Sequence, residues 1–505
     1  MWLLALIHRR FDEVARAARD RVALRTATRE ATYGELLDGA GRVAGWLDAL
    51  PPGSRVAILS SDHVVVVAAM LGALEAGCAF APLDLSTVGK RLPALLGALA
   101  CDAIVVDAST RPSIPPLDRP PAMLELGRDL EAAAPPPRRS ATPGRGRDPD
   151  AMCSIYFTSG STGVPRAIAG RLCGIDHHVA WEIERLGLDR SVRGAVLHSM
   201  SYDAYLPDVL VPMCAGGIAC APDPRDAVDP ARLCAWLERA EITLLHCVPS
   251  LFRALLACPA AARLGGLRHV LLAGEVVRPT DVRAAKQVLG GAARLFNLYG
   301  PTEATLVKLH HEITAEDLER PAIPIGVPMP GVTVHVLDED GRPGAPGRIG
   351  QIAIQSRYGS LGYLGEPELT RARFLDAPDG SGESIYLTGD YGCMLPDGAL
   401  AFHGRRDRQI KLLGARVDLD EVEAILGACD GVVDAAVVVI GDVVLHGFVT
   451  LSSGATIARV REQAMQRLPP SARLARLVRL DALPRTPSGK IDRRRLALEA
   501  EGEVV

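Results

Sequence analysis

A run of small and hydroxyl-bearing residues directly follows the apolar, strand-like segment Ser154–Phe157. Its glycines let the backbone fold close around an anion, and its hydroxyls and backbone N–H groups can donate to phosphate oxygens. The arginine that closes the run adds a charge-assisted donor. No Lys-Ser or Lys-Thr pair ends it, so it is not a Walker loop. The predicted phosphate loop comprises Thr158, Ser159, Gly160, Ser161, Thr162, Gly163, Val164, Pro165 and Arg166. Taken alone, a run of this composition is more often a loop without a ligand.

A second turn-rich segment follows another apolar stretch and could complete a nucleotide site. It consists of Asn297, Leu298, Tyr299, Gly300, Pro301, Thr302 and Glu303. Tyr299 could stack on a flat base, and Thr302 could reach a phosphate. Glu303 could hold Mg²⁺, because this hard cation prefers oxygen ligands. Considered alone, the segment is also compatible with a plain turn and a helix cap.

Alternating strands and helices must position these two segments. Short apolar runs predict buried strands at Arg55–Leu59, Ala103–Val106, Gly194–Leu197, Thr243–Val248 and His269–Ala273. Helical patterns lie between them, at Ala31–Leu50 and Pro230–Ala240. Alternation of this kind predicts parallel α/β layers. Val64–Leu83 approaches the length of a membrane span, but Glu75 and two glycines favour a buried helix followed by a strand.

Turn-rich segments divide the rest of the chain. Residues 109–150 are polar and rich in proline and glycine, which predicts a surface excursion. Dense turn signals at Asp338–Gly350 precede alternating isoleucines, which predicts a change to antiparallel strands. A smaller, arginine-rich region begins past Arg405.

Composition sets the broad class of the protein. A chain of 505 residues suggests about three domain-sized units. The net charge of -4 gives no reason to expect nucleic acid or an anionic membrane as a partner. Eleven cysteines are scattered without a Cys-x-x-Cys pair, which favours reduced thiols over disulfides or a zinc site. We therefore expect a cytoplasmic protein.

The two segments resemble core motifs of the adenylate-forming superfamily, and specifically of the adenylation domains of nonribosomal peptide synthetases. Other segments resemble that family's motifs in the same order along the chain. They are Tyr33–Leu36, Leu74–Asp84, Gly362–Phe374, Tyr386–Asp390, Gly404–Lys411 and Pro487–Arg493. The resemblance covers about residues 10–497.

The resemblance implies an α/β fold in two parts. The first, residues 1–405, would be a large N-terminal domain of two stacked α/β/α subdomains with a small β-barrel at about 325–405. The second, residues 406–505, would be a small mobile C-terminal α+β domain that carries a catalytic lysine.

The resemblance also implies roles for single residues in a reaction that uses ATP and Mg²⁺. Asp390 would bind the ribose hydroxyls, and Arg405 would lie near the ribose. Asp407 would be the hinge between the domains. Lys490 would bridge the substrate carboxylate and the α-phosphate, where negative charge grows in the transition state. Arg166 would be the second catalytic residue. Nucleotide contacts would also come from the phosphate loop and from Asn297, Tyr299, Gly300 and Thr302, with Glu303 on the metal.

The substrate motif of the family matches Tyr202-Asp203-Ala204, where the aspartate binds an α-ammonium group. This match predicts an amino acid as substrate. The remaining pocket positions are mainly aliphatic: Ala204, Pro207, His246, Leu271, Ala273, Leu298, Leu306, Val307 and Lys490. They predict a compact, mainly apolar amino acid. The Leu271/Ala273/Leu298 segment is similar to that of free-standing enzymes that activate L-proline, and this resemblance implies L-proline first. His246 could instead hydrogen-bond a hydroxyl, which would favour serine or a modified residue, or it could be a satisfied histidine of the pocket wall.

Three functions stay open at this point. The first is a ligase that transfers the aminoacyl group to a phosphopantetheine thiol of a separate carrier protein, in secondary-metabolite biosynthesis. No attachment-serine motif follows Arg495-Leu496, so we expect a carrier that acts in trans. The second is an amide synthetase, in which an amine takes the acyl group. The third is a catalytically silent relative, which the intact Lys490, Asp390 and Glu303 argue against.

Overall fold

A computed structural model describes residues 7–117, 120–132, 148–158, 165–320, 322–405, 408–412, 414–441, 444–485 and 491–502. Contacts divide the chain into two units. The first comprises Met1–Leu85, Leu96–Phe157 and Ala167–Arg406. The second comprises Ser86–Leu95, Thr158–Arg166 and Asp407–Val505.

The strands are numbered in chain order. They are β1 Val22–Arg25, β2 Glu30–Thr32, β3 Arg55–Leu59, β4 Ala79–Pro82, β5 Ala103–Val106, β6 Ala122–Glu125, β7 Met152–Thr158, β8 Arg166–Arg171, β9 Arg193–Ala195, β10 Ile218–Cys220, β11 Leu244–Cys247, β12 His269–Ala273, β13 Arg294–Tyr299, β14 Leu309–Ile313, β15 Val327–Pro328, β16 Thr333–Leu337, β17 Gly350–Ser356, β18 Phe374–Asp376, β19 Ser384–Met394, β20 Leu400–Arg405, β21 Gln409–Leu412, β22 Ala415–Asp418, β23 Val432–Ile440, β24 Val444–Leu451 and β25 Arg476–Arg479.

The α-helices are numbered in the same way. They are α1 Ile7–Ala17, α2 Tyr33–Leu47, α3 His63–Glu75, α4 Leu85–Val88, α5 Leu92–Leu99, α6 Leu172–Leu186, α7 Tyr205–Cys214, α8 Pro224–Ala227, α9 Pro230–Arg239, α10 Pro249–Ala257, α11 Pro279–Leu289, α12 Pro367–Arg373, α13 Leu419–Gly427, α14 Ile457–Arg467 and α15 Arg493–Gly502.

Two sheets form the frame of the first unit. One has six strands in the order β6-β5-β3-β4-β7-β8, and β6 with β5, β5 with β3, β3 with β4 and β4 with β7 pair in parallel. The other has nine, in the order β15-β14-β13-β12-β11-β9-β10-β1-β2, with antiparallel pairs only toward its two edges. The predicted parallel α/β layers are therefore confirmed. Within the region interpreted as a surface excursion, β6 instead extends the first sheet as an edge strand, because its backbone pairs with β5.

The apolar helix α3 belongs to the core of the first unit. Every residue from Val64 to Leu74 is buried, and β4 follows at Ala79. This confirms the predicted buried helix and strand. In the part of the chain that the structure describes, no helix is long and apolar enough to cross a membrane. The eleven cysteines are all free thiols.

A five-stranded antiparallel sheet completes the first unit, with β19 pairing to β17, β18 and β20. This confirms the predicted change to antiparallel strands after Gly350. In the second unit, β21 and β22 form a hairpin, and β23, β24 and β25 form a three-stranded sheet. Side chains of α13 and α14 pack in an apolar cluster with this sheet.

Candidate active site

Three predicted nucleotide contacts meet at the end of β13. Asp390 on β19 pairs in register with Arg405 on β20, and Arg405 Nη1 donates to Asp390 Oδ1 at 2.6 Å. Tyr299, the last residue of β13, donates its hydroxyl to the other carboxylate oxygen of Asp390. Burial, and then the Asp390 charge, raise the pKa of Tyr299 well above its usual value. A carboxylate held in this way keeps lone pairs that can accept hydrogen bonds from a vicinal diol.

The turn after Tyr299 is tightly built. A side chain at Gly300 would place its Cβ 2.3 Å from the Leu306 carbonyl oxygen, so only glycine fits there. Thr302–Ala304 form a 3-10 turn, and Thr305 and Leu306 follow with φ of 58° and 64°. Such left-handed conformations are strained for residues other than glycine. The Lys308 amide donates to the Tyr299 carbonyl at 2.9 Å, which closes the loop.

Two other predicted residues of this segment have protein partners. The Asn297 side-chain amide donates to the Pro324 carbonyl at 2.7 Å, so its N–H group positions a neighbouring loop. Glu303 is buried, and it accepts a hydrogen bond from the Tyr363 hydroxyl at 3.1 Å. Among the described residues, no group of three or more His, Cys, Asp or Glu side chains could hold a metal by itself. A single buried carboxylate suits Mg²⁺ only together with substrate phosphates and water.

Asp203 lines a small cavity of about 10 Å³, which has room for about one water-sized group. It lies in the turn before α7, where its carbonyl accepts the Leu206 N–H at 2.9 Å. Of the predicted pocket residues, Asp203 and Leu306 line this cavity, together with the predicted phosphate contact Thr302. Sequence reasoning missed the other lining residues, which are Ser154, Tyr156, Ile168, Gly170, Leu206 and Thr305.

The other pocket predictions within the described residues lie on α7, on the strands β11, β12 and β13, and in the turn after β13. Ala204 is the N-cap of α7, and Pro207 is in its first turn. His246, Leu271, Ala273 and Leu298 come from adjacent parallel strands, with His246 opposite Leu271 and Ala273 opposite Leu298. Leu271 and Leu298 share an apolar cluster, whereas the alternating residues Leu272 and Leu295 pack on the other face. Val307 follows Leu306 and packs against the first of these clusters.

A buried charge network surrounds His246. Its Nε2 lies 2.7 Å from Glu182 Oε1, and its Nδ1 lies 3.2 Å from Asp208 Oδ1. His178 approaches the second oxygen of Glu182 at 3.2 Å, and His198 approaches Asp208 at 3.0 Å. Burial opposes a charge on His246, but Glu182 and Asp208 outweigh it and raise the pKa of His246 to about 10. Both imidazole nitrogens therefore face carboxylates, which favours the satisfied pocket-wall histidine over a hydroxyl-binding one.

Lys308 was also missed by sequence reasoning. Its side chain is fully buried, and its Nζ donates to the Thr305 carbonyl at 2.5 Å and to the Val307 carbonyl at 3.3 Å. Burial lowers the pKa of Lys308 to about 7. The only signal in the sequence is a lysine inside the apolar run Leu306–Leu309. This lysine fixes the strained turn that carries Leu306.

Several predicted residues lie outside the described part of the chain. These are Ser159, Gly160, Ser161, Thr162 and Gly163 of the phosphate loop, the hinge residue Asp407 and the catalytic lysine Lys490. The ends of the loop are described: Thr158 is the last residue of β7, and Arg166 is the first of β8.

Family models and relatives agree on the class of protein. The model for "AMP-binding enzyme" matches residues 11–364, and that for "AMP-binding enzyme C-terminal domain" matches residues 421–490. AmbB, an antimetabolite synthetase of Pseudomonas aeruginosa, is 33% identical over 97% of this chain. Tyrocidine synthase 3 of Brevibacillus parabrevis is 29% identical over 97% of this chain. The chain spans only 39% and 8% of the lengths of these two relatives.

Solved structures agree on the fold. PA1221, a nonribosomal peptide synthetase protein containing adenylation and PCP domains, matches with a TM-score of 0.83 and 28% identity, covering 98% of this chain and 97% of that one. IdnL1 matches with a TM-score of 0.79 and 28% identity, covering 94% and 98%. AlmE of Vibrio cholerae shares the fold with a TM-score of 0.84 at 21% identity, covering 99% of each chain. The fold is thus a large N-terminal α/β domain and a smaller C-terminal domain. The chain belongs to the AMP-binding enzyme family, as an AMP-forming ligase of the kind found in nonribosomal peptide synthetases.

Proposed function

We propose that this enzyme adenylates a compact, mainly apolar amino acid and passes the aminoacyl group to the phosphopantetheine thiol of a separate carrier protein. The observation that carries the proposal is Asp203 beside a small cavity flanked by Leu206 and Leu306. A carboxylate in a largely desolvated site pairs well with an α-ammonium group, and such a hydrogen bond contributes about 1.5–3 kcal/mol.

In the first step, an oxygen of the amino-acid carboxylate attacks the α-phosphorus of ATP, and the bond to pyrophosphate breaks. Two anions approach each other in this step, so positive charge at the reacting atoms is needed. We assign that charge to Lys490, with Arg166 near the phosphates. Asp390 would accept the ribose hydroxyls, with Arg405 beside it, and Tyr299 would pack against the base. The Ser159–Gly163 loop, Thr158 and Thr302 would supply further donors to the phosphates.

Magnesium fits the carboxylate of Glu303 only as one ligand among phosphate oxygens and water, where it would neutralise the charge of the leaving pyrophosphate. In the second step, the carrier thiol attacks the acyl carbonyl carbon, AMP leaves and the thiol proton is lost. PA1221 unites an adenylation and a PCP domain in one protein, which supports a carrier as the partner here. Asp407 would be the hinge that re-aims residues 406–505 between the two steps.

Within the compact class, the pocket positions favour L-proline. Small hydroxylated or aliphatic amino acids, of the size of serine, alanine or valine, are the alternatives. A second candidate function is an amide synthetase, because the same adenylate can be captured by an amine instead of a thiol.

A panel of amino acids in ATP–pyrophosphate exchange tests the proposal. We expect exchange with one or a few compact amino acids, and none with lysine, arginine, aspartate or glutamate. The enzyme is then incubated with that amino acid, ATP and either a phosphopantetheinylated carrier protein or a free amine. Acyl transfer to the carrier supports the ligase, and transfer only to the amine supports the amide synthetase. Absence of exchange with every amino acid would contradict both.

A further inference from the structure

The segment that contains α14 and β25 is strongly basic. From Ile457 to Arg479 the sequence has six arginines, and Glu462 is its one acidic residue. The arginines, all exposed, are Arg459, Arg461, Arg467, Arg473, Arg476 and Arg479. The whole chain has a net charge of -4, so this positive surface is a local feature. A concentration of one charge on a surface attracts a partner of the opposite charge.

Two of these arginines are not used by the fold. Within the described residues, the side chains of Arg461 and Arg473 form no salt bridge or hydrogen bond. Elsewhere in the second unit, arginines are paired, for example Arg493 with Glu423 at 2.7 Å. The charges of Arg461 and Arg473 are therefore available to another molecule.

Both unpaired arginines line a groove with an apolar floor. The groove has a volume of about 690 Å³, and its apolar lining consists of Ile457, Ala458, Met465 and Leu477. The Met465 side chain is 51% exposed, which is unusual for a large apolar residue. Exposed apolar surface that is rimmed by polar residues is typical of protein interaction sites.

Helix α14 builds one side of this groove by its spacing. Ile457, Arg461 and Met465 recur at every fourth position, so they share one face of the helix. The neighbouring row, Val460 and Ala464, is buried in the core of the second unit. The helix is therefore fixed by one row of side chains and presents the next row to the groove.

Charge and length define what fits the groove. Its charged lining residues are Lys90, Arg461 and Arg473 against Glu462, which leaves a net charge of +2. Lys90 belongs to the second unit, as do α14 and β25. From Ile457 to Met465, α14 rises by about 12 Å, which matches about two turns of a second helix. Amphipathic helices bind grooves of this kind through apolar anchors, and carboxylates beside those anchors would pair with the arginines.

We infer that this groove docks an acidic, amphipathic helix of the carrier protein. The inference rests on the proposed function, in which a separate carrier supplies the thiol and must therefore be recognised. A concave groove with an apolar floor suits a protein helix better than the flat surface of an anionic membrane.

The test separates carrier docking from adenylation in the full-length enzyme. Transfer to the phosphopantetheinylated carrier protein that accepts the aminoacyl group is measured at increasing carrier concentrations, with pyrophosphate exchange in parallel. Arg461→Glu and Arg473→Glu should each raise KM for the carrier about tenfold or more, because each places like charges opposite one another. Exchange should stay unchanged. Arg348→Glu, the same change at an exposed arginine of the first unit, should leave both reactions unchanged.

Milder changes test the two components of the groove separately. Arg461→Gln removes the charge without reversing it and should raise KM for the carrier by a smaller factor. Met465→Ser should also raise this KM, because an apolar anchor loses its contact. Added salt should raise KM for the carrier in the wild type and much less in Arg461→Gln. Thermal melting checks that each variant is folded.

The outcomes distinguish the groove from the proposed function. Unchanged KM for the carrier in Arg461→Glu, Arg473→Glu and Met465→Ser would overturn the docking surface alone, and so would an equal effect of Arg348→Glu. Binding to vesicles of phosphatidylserine and phosphatidylcholine that these variants abolish, without an effect on the carrier, would assign the surface to a membrane instead. A wild-type enzyme that exchanges pyrophosphate but loads no carrier would contradict the proposed function, and this inference with it.

Discussion

His246 Nε2 lies 2.7 Å from Glu182 Oε1, and both side chains are buried in the first unit. Asp208 faces the other imidazole nitrogen at 3.2 Å. The arrangement is a buried imidazolium between two carboxylates, at one of the positions predicted to form the pocket wall. Removing one partner of a buried ion pair leaves an uncompensated charge, which is far more costly than the pair itself is favourable.

Replacing His246 should therefore destabilise the enzyme strongly. We expect His246→Gln to lower the free energy of unfolding by about 3–5 kcal/mol near pH 6, because Glu182 and Asp208 lose their shared cation. Urea denaturation of both proteins measures the difference. His403→Gln, at an exposed histidine, should stay within about 0.5 kcal/mol of the wild type.

The wild type and His246→Gln should differ less in their free energy of unfolding outside the mildly acidic pH range. The pKa of His246 is raised to about 10, so its contribution is complete below about pH 6.5 and is lost as the pH rises toward 10. The pKa values of Glu182 and Asp208 are lowered, so their contributions are complete above about pH 4.5 and are lost on further acidification. A stability difference that stays constant from pH 5 to pH 10 would contradict a charged His246.

The buried charge of Lys308 should lower the free energy of unfolding of the enzyme. The same residue should support amino-acid binding. Its pKa is lowered to about 7, so the folded state disfavours its charge, and wild-type stability should rise between about pH 7 and pH 10.5. Lys308→Met should be more stable than the wild type at pH 6, on the order of 2 kcal/mol, and the gain should fade toward pH 10.5. Its kcat/KM for the amino acid should fall about tenfold, because the Thr305 carbonyl loses its donor.

Melting curves and pyrophosphate exchange at several pH values measure both effects of Lys308→Met. Lys286→Met, on α11, removes a lysine away from the cavity and should leave both quantities unchanged. Lower stability of Lys308→Met across the whole pH range would show that Lys308 contributes more by its hydrogen bonds than its burial costs.

We expect Glu423, in the second unit, to help position Lys490. Its carboxylate accepts two hydrogen bonds from Arg493, from Nε to Oε1 at 3.0 Å and from Nη2 to Oε2 at 2.7 Å. It also accepts the Val437 N–H at 2.7 Å and pairs with Arg408 at 2.6 Å. Arg493 begins α15, three residues after Lys490. Glu423→Gln should thus lower kcat of adenylation about tenfold with little change in KM for the amino acid.

The control for Glu423 is Glu499→Gln, which removes the partner of Arg495 on the same helix at an exposed pair. Exposed ion pairs contribute little, so this variant should behave as the wild type. If both variants lose activity equally, or if Glu423→Gln changes only the melting temperature, Glu423 has no role in positioning Lys490.

The strands were predictable from local sequence, whereas the charge network was not. Arg55–Leu59 and His269–Ala273 occupy the residues that their apolar runs predicted, because burial on both faces needs only a continuous apolar segment. Glu182 and His246, in contrast, are 64 residues apart in the sequence. Glu182 lies on α6 and His246 on β11, and no motif of either element links the two residues. The pattern of one element cannot show that one of its charged residues contacts a residue of a different layer.

The candidate site also had a part that the sequence predicted and a part that it did not. Asp390, Arg405 and Tyr299 were predicted from motifs, and the structure brings them together. Tyr156 lies in a strand-like segment whose aromatic residues indicate packing, so nothing in the sequence marked it as a lining residue of the cavity at Asp203.

Lys490→Ala tests the assignment of the catalytic charge. Adenylate formation should be abolished, because Lys490 is the residue assigned to bridge the carboxylate and the α-phosphate, where negative charge grows. Thioester formation from a supplied aminoacyl-adenylate should largely persist, since that step expels AMP rather than joining two anions. Pyrophosphate exchange measures the first reaction, and transfer of a labelled aminoacyl group to the carrier measures the second. Lys286→Ala, which removes the same charge from α11, should leave both rates unchanged. Near-normal pyrophosphate exchange in Lys490→Ala would refute the assignment, and equal loss of both reactions would indicate a structural role instead.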